Sequence, residues 1–397
     1  MTQTLSARIP AGWDRGAAQL WLQSRRVEAV NRATAAAQAA QWRQPALALQ
    51  TAYYLFLMED FRSGAALLER QAQSTPGEFE ILLNLGVMCS RAGLLERACE
   101  VYGRAAEIDA NRFEIHDGLA NAMSRLHRYD EATTAGTRSL ELKDALAPHK
   151  KPLALPQGSP AQWTKGKANV LSYSLWGSHP RYLRGMLRNV VLGPDLYPGW
   201  EIRIHLDDTV PADFCRLVEE LGARIERHLP GAPLREKLAW RFGVANDVSV
   251  GRFLVRDADS VINVREVFAV HEWIRSGCWF HVMRDYWTHT DLMLAGMWGG
   301  VAGALPSMDS ALAAYRPAAL ETPNVDQWFL RDCVWPCIRE SVEVHDRCFR
   351  PARAKPFPGS LPPGNEHVGQ DEFEARPAAQ QRLLRPWRTA CPSLQLE

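Results

Sequence analysis

The sequence predicts a chain in two parts: an all-helical N-terminal stack, then an α/β domain on a mostly parallel central sheet. Three observations predict it. Residues 14–145 are rich in Ala, Leu, Glu, Arg and Gln and poor in Pro and β-branched residues, which favours helix. Within them a pattern of small and large residues repeats at a spacing of 34. After a Pro-rich stretch, short apolar strands alternate with amphipathic helices, which implies parallel strands joined by right-handed crossovers. The boundaries read as 1–146 for the helical domain, 147–165 for a linker and 166–397 for the sheet domain. Pro148, Pro152, Pro156, Gly158 and Pro160 mark the linker.

A chain of 397 residues is long enough for two or three cores. A net charge of +1 offers no general case for nucleic acid or an anionic membrane as partner. The first 26 residues lack the apolar core of a secretory signal, and no run of about 18 apolar residues exists to span a bilayer. The eight cysteines are scattered without zinc-like spacing. The expectation is a soluble, cytoplasmic protein with free thiols.

In the helical part, Leu85-Gly86 aligns with Leu119-Ala120, Ala98 with Ala132, and Ala105 with Ser139. Small residues at Gly86 and Ala98 would let two helices approach, with Leu85 and Tyr102 filling the seam. The segment 79–146 resembles tetratricopeptide repeats. A degenerate third unit is expected before it, using Tyr53-Tyr54 and Ala65-Ala66, with helices from Ala17 to Ala40 capping the stack. Such repeats either grip a peptide or partner protein, or only brace the next domain or mediate self-association.

In the second part, strands are expected at Val170–Trp176, Ile202–Leu206, Ala223–Arg227 and Phe253–Val255. Helices are expected at Pro180–Val191, Phe214–Leu221 and Arg235–Ala245. The fourth strand runs into Arg256-Asp257-Ala258-Asp259. Ligands in open α/β sheets collect at the carboxyl ends of strands. Two carboxylates there suit a hard divalent cation that keeps positions open for phosphates.

An apolar strand ending in Asp-x-Asp also occurs in haloacid-dehalogenase-like phosphatases, but on their first strand; here about three βα units precede it. The order of several segments resembles the nucleotide-diphospho-sugar (GT-A) glycosyltransferases instead. These are Ser172-Tyr173-Ser174-Leu175-Trp176-Gly177, Lys237 with Trp240-Arg241-Phe242, the Asp-x-Asp, His281-Val282-Met283-Arg284-Asp285, Gly296-Met297-Trp298-Gly299-Gly300, Asp326-Gln327 and Val344-His345-Asp346.

The resemblance implies Mn2+ or Mg2+ held by Asp257 and Asp259, with His345 completing the shell and His367 a competitor for that place. It implies a donor nucleotide sugar contacted by Tyr173, Ser174, Trp176, Lys237, Arg241, Arg256, Asp257 and, through an exposed ring on a Gly-rich loop, Trp298 and Gly299. Asp326 and Asp285 are the candidate catalytic carboxylates; His281, Arg284 and His289 would lie near the acceptor. Transfer to a protein, peptide or glycan acceptor is expected, with the repeats holding the acceptor or a partner. A non-catalytic scaffold binding a nucleotide sugar or glycan, and a metal-dependent phosphatase or nucleotidyltransferase, are the alternatives.

Overall fold

The computed structural model describes residues 9–148, 153, 155–317, 324–360 and 366–396. Two compact units divide the chain, residues 1–142 and 143–397. Of the linker, 149–152 and 154 lie outside the described residues, as does Asn365 beside His367.

The first unit is a run of antiparallel helix pairs: α1 (Arg15–Leu22), α2 (Arg26–Ala39), α3 (Pro45–Leu57), α4 (Phe61–Ser74), α5 (Phe79–Arg91), α6 (Leu95–Ile108), α7 (Phe113–Arg125) and α8 (Tyr129–Leu146). The period of 34 is literal in the backbone. First helices of the pairs begin at Pro45, Phe79 and Phe113, second helices at Phe61, Leu95 and Tyr129. Glu59, Gly93 and His127, again 34 apart, each take a positive φ in the turn between them.

The seam works as its small residues require. A Cβ on Gly86 would lie 2.4 Å from the Tyr102 ring, and one on Gly118 would lie 2.2 Å from it. One buried tyrosine thus wedges between helices of successive pairs. The degenerate unit is present, but its register differs from the expected one: 34 residues before Gly86 stands Ala52, and 34 before Ala98 stands Gly64. Gly64 packs on Met88. Tyr54 instead stacks on Trp21 at the start of the array, ring centroids 4.4 Å apart.

The second unit is an α/β layer built on a mixed eight-stranded sheet. Its strands are β1 (Ala168–Leu175), β2 (Trp200–Leu206), β3 (Arg224–Arg227), β4 (Val250–Arg256), β5 (Phe280–Arg284), β6 (Met297–Val301), β7 (Val342–Asp346) and β8 (Ala354–Lys355), in the order β3-β2-β1-β4-β6-β5-β7-β8. All pairings are parallel except those of β6, which runs against β4 and β5. Helices α9 (Pro180–Leu196), α10 (Ala212–Glu220), α11 (Leu234–Ala239), α12 (Val264–Ser276), α13 (Met308–Ala314) and α14 (Val325–Phe329) connect them. The described part of the linker is irregular. Its Ala161 carbonyl accepts from Arg252 of β4 at 2.9 Å.

The chain winds from β1 to β3 in one direction, then crosses back to place β4 on the other side of β1. That reversal opens a crevice at the carboxyl ends of β1 and β4. Register sets what meets there. Ser172 pairs with Val255, which brings Ser174 alongside Asp257, and Arg256 pairs with Met297, which brings Gly296 to its other side.

Residues 235–245 are not one helix. After α11 the chain tightens into a 3-10 segment, Trp240–Asn246. The Arg241 amide donates to Ser174 Oγ (3.1 Å), and the Arg241 carbonyl accepts from Ser172 Oγ (2.9 Å). Two serines of β1 thus take over backbone bonds that helix would have made. The C-terminal stretch, which carries no motif, is folded in: Leu384, Cys391, Leu394 and Leu396 are buried with the β1–β2 face.

Candidate active site

The crevice holds a cavity of about 390 Å³. Its walls come from the end of β1 (Ser174, Leu175, Trp176), the first turn of α9 (Tyr182), α11 (Leu234, Leu238) with Arg241, the Asp257-Ala258-Asp259 turn, Ala295, and Asn324, Asp326 and Gln327 around the start of α14. Four of the sequence candidates, Ser174, Arg241, Asp257 and Asp259, meet here, with Asp326 opposite. Trp176 lines the cavity as well.

Arg241 is the centre of the charge arrangement. Its side chain is 4 % exposed. Nη1 pairs with Asp257 and donates to the Arg256 carbonyl at 2.9 Å, while Nη2 lies 3.2 Å from Asp326. Nε is buried with no hydrogen-bond partner. A buried donor without an acceptor costs about 1–3 kcal/mol.

Asp259 points to Arg181 in the first turn of α9, at 2.9 Å, and Arg181 also reaches Asp371 at 2.7 Å. Burial and the neighbouring Asp257 raise the Asp259 carboxyl to about 6. Burial raises that of Asp326 to about 6 as well, against the opposing pull of Arg241. Two glycines let the turn fit. A Cβ on Gly296 would lie 2.0 Å from Asp257 Oδ2, and one on Gly185 of α9 would lie 2.4 Å from the Ala258 carbonyl oxygen.

These residues fit a divalent cation. The donors are hard carboxylate oxygens. Among the described residues, Asp257, Asp259, Asp326 and Asp371 pair with Arg181 and Arg241, so this group of six carries two excess negative charges. The Asp259 carboxyl is raised first by burial and then by the like charge of Asp257, and a cation would offset the second. Among the described residues no group of three or more His, Cys, Asp or Glu is arranged as a complete metal cage. A cation held here would have two protein carboxylates, Asp257 and Asp259, as donors, with further positions left to substrate oxygens or water.

Several expected residues are elsewhere. His345 lies on β7, three strands from β4 and therefore about 14 Å away along the sheet, too far for a shared metal shell. Its nitrogens meet His281 (2.9 Å) and Glu272 (3.1 Å). Asp285, after β5, is fully buried between Arg265 (3.0 Å) and Arg347 (3.4 Å) and accepts from the Val368 amide. It holds loops together and does not line the cavity. His367 stacks on Tyr286, ring centroids 4.0 Å apart. His289 Nδ1 accepts from the Asp285 amide, and Arg284 is buried against Asp346 at 2.6 Å. Neither they nor His281 lines the cavity.

Tyr173 faces the core, 0 % exposed, because successive strand residues alternate faces and Ser174 takes the cavity side. Arg256 turns inward to Glu266 at 3.0 Å, which in turn accepts from the Tyr197 hydroxyl. Lys237 is held by Asp207 at 2.6 Å. Trp298 is not an exposed ring on a loop. It sits in β6, 0 % exposed, edge-on to Phe253 and Phe242. Gly299 serves the same packing, since a Cβ there would lie 2.5 Å from the Phe253 carbonyl oxygen.

No family model and no curated protein matches the chain. Among solved structures, an O-GlcNAc transferase of Thermobaculum terrenum is similar at 16% identity and TM-score 0.37, covering 60% of this chain and 44% of that one. A MamA structure from Desulfovibrio magneticus RS-1 is similar at 16% identity and TM-score 0.30, covering 33% of this chain and 74% of that one. At TM-scores this low neither assigns a fold family or an activity.

The cavity residues absent from the sequence reading are Tyr182, Leu234, Leu238, Ala295 and Asn324, with Arg181, Asp371 and Gly185 behind them. Only Arg181 and Tyr182 had a signal: they open the first helix after the first strand, the place such crevices draw ligands.

Proposed function

We propose that the second unit is a metal-dependent glycosyltransferase of GT-A type, moving a sugar from a nucleotide-sugar donor to a protein, peptide or glycan acceptor. The observation that carries this reading is the cavity at the β1–β4 reversal, where the paired carboxylates Asp257 and Asp259 face a buried third, Asp326, across Arg241. Asp257 and Asp259 would hold Mn2+ or Mg2+. Bound there, the cation supplies Lewis-acid stabilisation of a leaving diphosphate.

The chain's own residues divide the remaining work. Arg241 fixes Asp257 and Asp326 at a set separation and keeps a cation beside the phosphates. Trp176 and Tyr182, both partly exposed on the cavity wall, offer ring faces to a base or a sugar. Asp326, with its carboxyl at about 6, is a carboxylate at neutral pH and suited to take the proton of an acceptor hydroxyl. The helical repeats would present the acceptor or a partner.

The test is a thermal-shift screen of UDP-, GDP-, CMP- and dTDP-sugars with and without Mn2+, beside an Asp257→Ala/Asp259→Ala variant. A ligand far above its Kd should add a few kcal/mol of stability. A Mn2+-dependent shift with one nucleotide class, lost in the variant, supports the reading and names the donor. No shift from folded wild-type protein with any of them rejects it in favour of a scaffold or a phosphatase.

A further inference from the structure

Two guanidiniums neutralise the carboxylates of the cavity, and they are held very differently. Arg241 is 4 % exposed, and its backbone is pinned on both sides by Ser172 and Ser174. Arg181 is 43 % exposed, next in sequence to the lining residue Tyr182 and paired with the lining Asp259. It reaches Asp259 at 2.9 Å and Asp371 at 2.7 Å, its guanidinium lies 5.7 Å from the Tyr182 ring centroid, and its amide donates to His179 Nδ1 at 3.3 Å.

Asp371 is a firm anchor. Its Oδ1 accepts from the Phe373 and Glu374 amides at 2.9 and 3.1 Å, and its backbone bridges to Ser260 beside the Asp-x-Asp. The Ser260 hydroxyl ties the same segment again through the Gly369 carbonyl at 2.9 Å. Asp259 is held from behind by α9, where Gly185 packs on its backbone. Asp371 and the backbone of Asp259 are thus tied into the surrounding structure, and Arg181 is the exposed side chain that links the two carboxylates.

We propose that Arg181 is an internal counter-ion for Asp259: it occupies the carboxylate that the divalent cation needs, yields it when the cation arrives, and then, pivoting on Asp371, meets the diphosphate of the incoming ligand. The inference rests on the metal–diphosphate reading of this cavity. Its physical content is charge competition. A guanidinium about 3 Å from an oxygen donor both fills a coordination direction and repels a second cation. Once a diphosphate brings new negative charge, the same guanidinium becomes an attractive partner, since phosphate oxygens accept its paired N–H groups. Arg181 should therefore oppose the cation alone and favour the cation–diphosphate complex.

That opposite sign is the test. Mn2+ binding is titrated calorimetrically on wild type, Arg181→Gln, Arg181→Ala and Asp259→Asn, first with Mn2+ alone and then with Mn2+ plus inorganic pyrophosphate, with melting temperatures recorded throughout. The expected result is Mn2+ alone binding about tenfold tighter in both Arg181 variants, while pyrophosphate strengthens wild type more than either variant. Asp259→Asn should lose Mn2+ binding. Wild-type binding lost in Asp259→Asn but unchanged or weakened in both Arg181 variants overturns the counter-ion role and leaves the metal site standing. No Mn2+ binding by wild type or by either Arg181 variant, with melting curves of folded protein, overturns the metal reading and this inference with it.

Discussion

Asp257 sits where a side chain would normally stand on its neighbour. A Cβ at Gly296 would lie 2.0 Å from its Oδ2 and 2.9 Å from its amide nitrogen, so Gly296→Ala must push the carboxylate off Arg241. The expected outcome is a loss of at least about tenfold in Mn2+ affinity, ~1.4 kcal/mol, read by titration. Gly299→Ala tests the contrast. There the obstacle is the Phe253 carbonyl inside the sheet, and the expected effect is about 1–3 kcal/mol of stability in urea unfolding. Equal effects of the two variants on metal binding would remove the distinction between a glycine that shapes the site and one that packs strands. Asp326→Asn removes the proton acceptor but keeps the size. It should leave Mn2+–nucleotide binding near wild type and lower kcat by roughly 10²–10⁴-fold if Asp326 is the base. An unchanged kcat would return the choice of base to other groups.

At the scale of elements, legibility followed locality. The helix pairs were readable because each repeat carries its own seam residues, Gly86 against Tyr102 within about 16 residues of sequence, and the backbone period of 34 follows from them. The Asp-x-Asp was readable because an apolar strand ending in carboxylates is a local pattern. What failed were inferences that needed strand order or strand face. His345 was placed near the metal, but β6 and β5 intervene between β4 and β7. Tyr173 was placed in the site, but alternation gave that side to Ser174. Met297-Trp298-Gly299-Gly300 looked like a loop because glycine is rare in strands. Here Gly300 makes room for the Phe280 and Phe253 rings, and Gly299 for the Phe253 carbonyl. The break between α11 and the 3-10 segment was illegible for the same reason, since its cause lies on β1. Ser172→Ala with Ser174→Ala should unpair the Arg241 backbone groups at a cost of about 1–3 kcal/mol for each group left unsatisfied, and should loosen Arg241 itself. Urea unfolding measures the first effect. A weakened Mn2+ affinity in the same variant would show that the turn, and not only the guanidinium, sets the site.

Two units with separate cores are expected to unfold in separable steps, and acid should act on one of them. The second unit buries neutral histidines. Burial and the neighbouring His228 lower His205 to about 3, and burial beside His345 holds His281 well below its ordinary value. Burial lowers His345 as well, against the pull of Glu272. For each, the unfolded chain binds a proton near 6.5 that the folded chain refuses. Their contribution to stability is therefore present above pH 6.5 and is lost as pH falls towards the folded value. By pH 5 the cost for His205 is about 2 kcal/mol, and His281 acts in the same direction. Asp259 and Asp326 act with the opposite sign. Their carboxyls are raised to about 6, so protonation between pH 6 and the ordinary carboxylate value of 3.8 favours the folded state, by about 1 kcal/mol each at pH 5. The two carboxylates offset His205 alone, and the further loss at His281 and His345 tips the balance towards lower stability on going from pH 7 to pH 5. In urea unfolding followed by tryptophan fluorescence, the transition of the sheet unit should move to lower denaturant at pH 5, while that of the helical unit stays in place. A His205→Gln variant should shift less than wild type over the same interval. A sheet-unit midpoint that stays constant or rises between pH 7 and pH 5 would mean that the carboxylates outweigh the histidines and that the charge balance of the cavity, not the buried imidazoles, governs the acid stability of this unit.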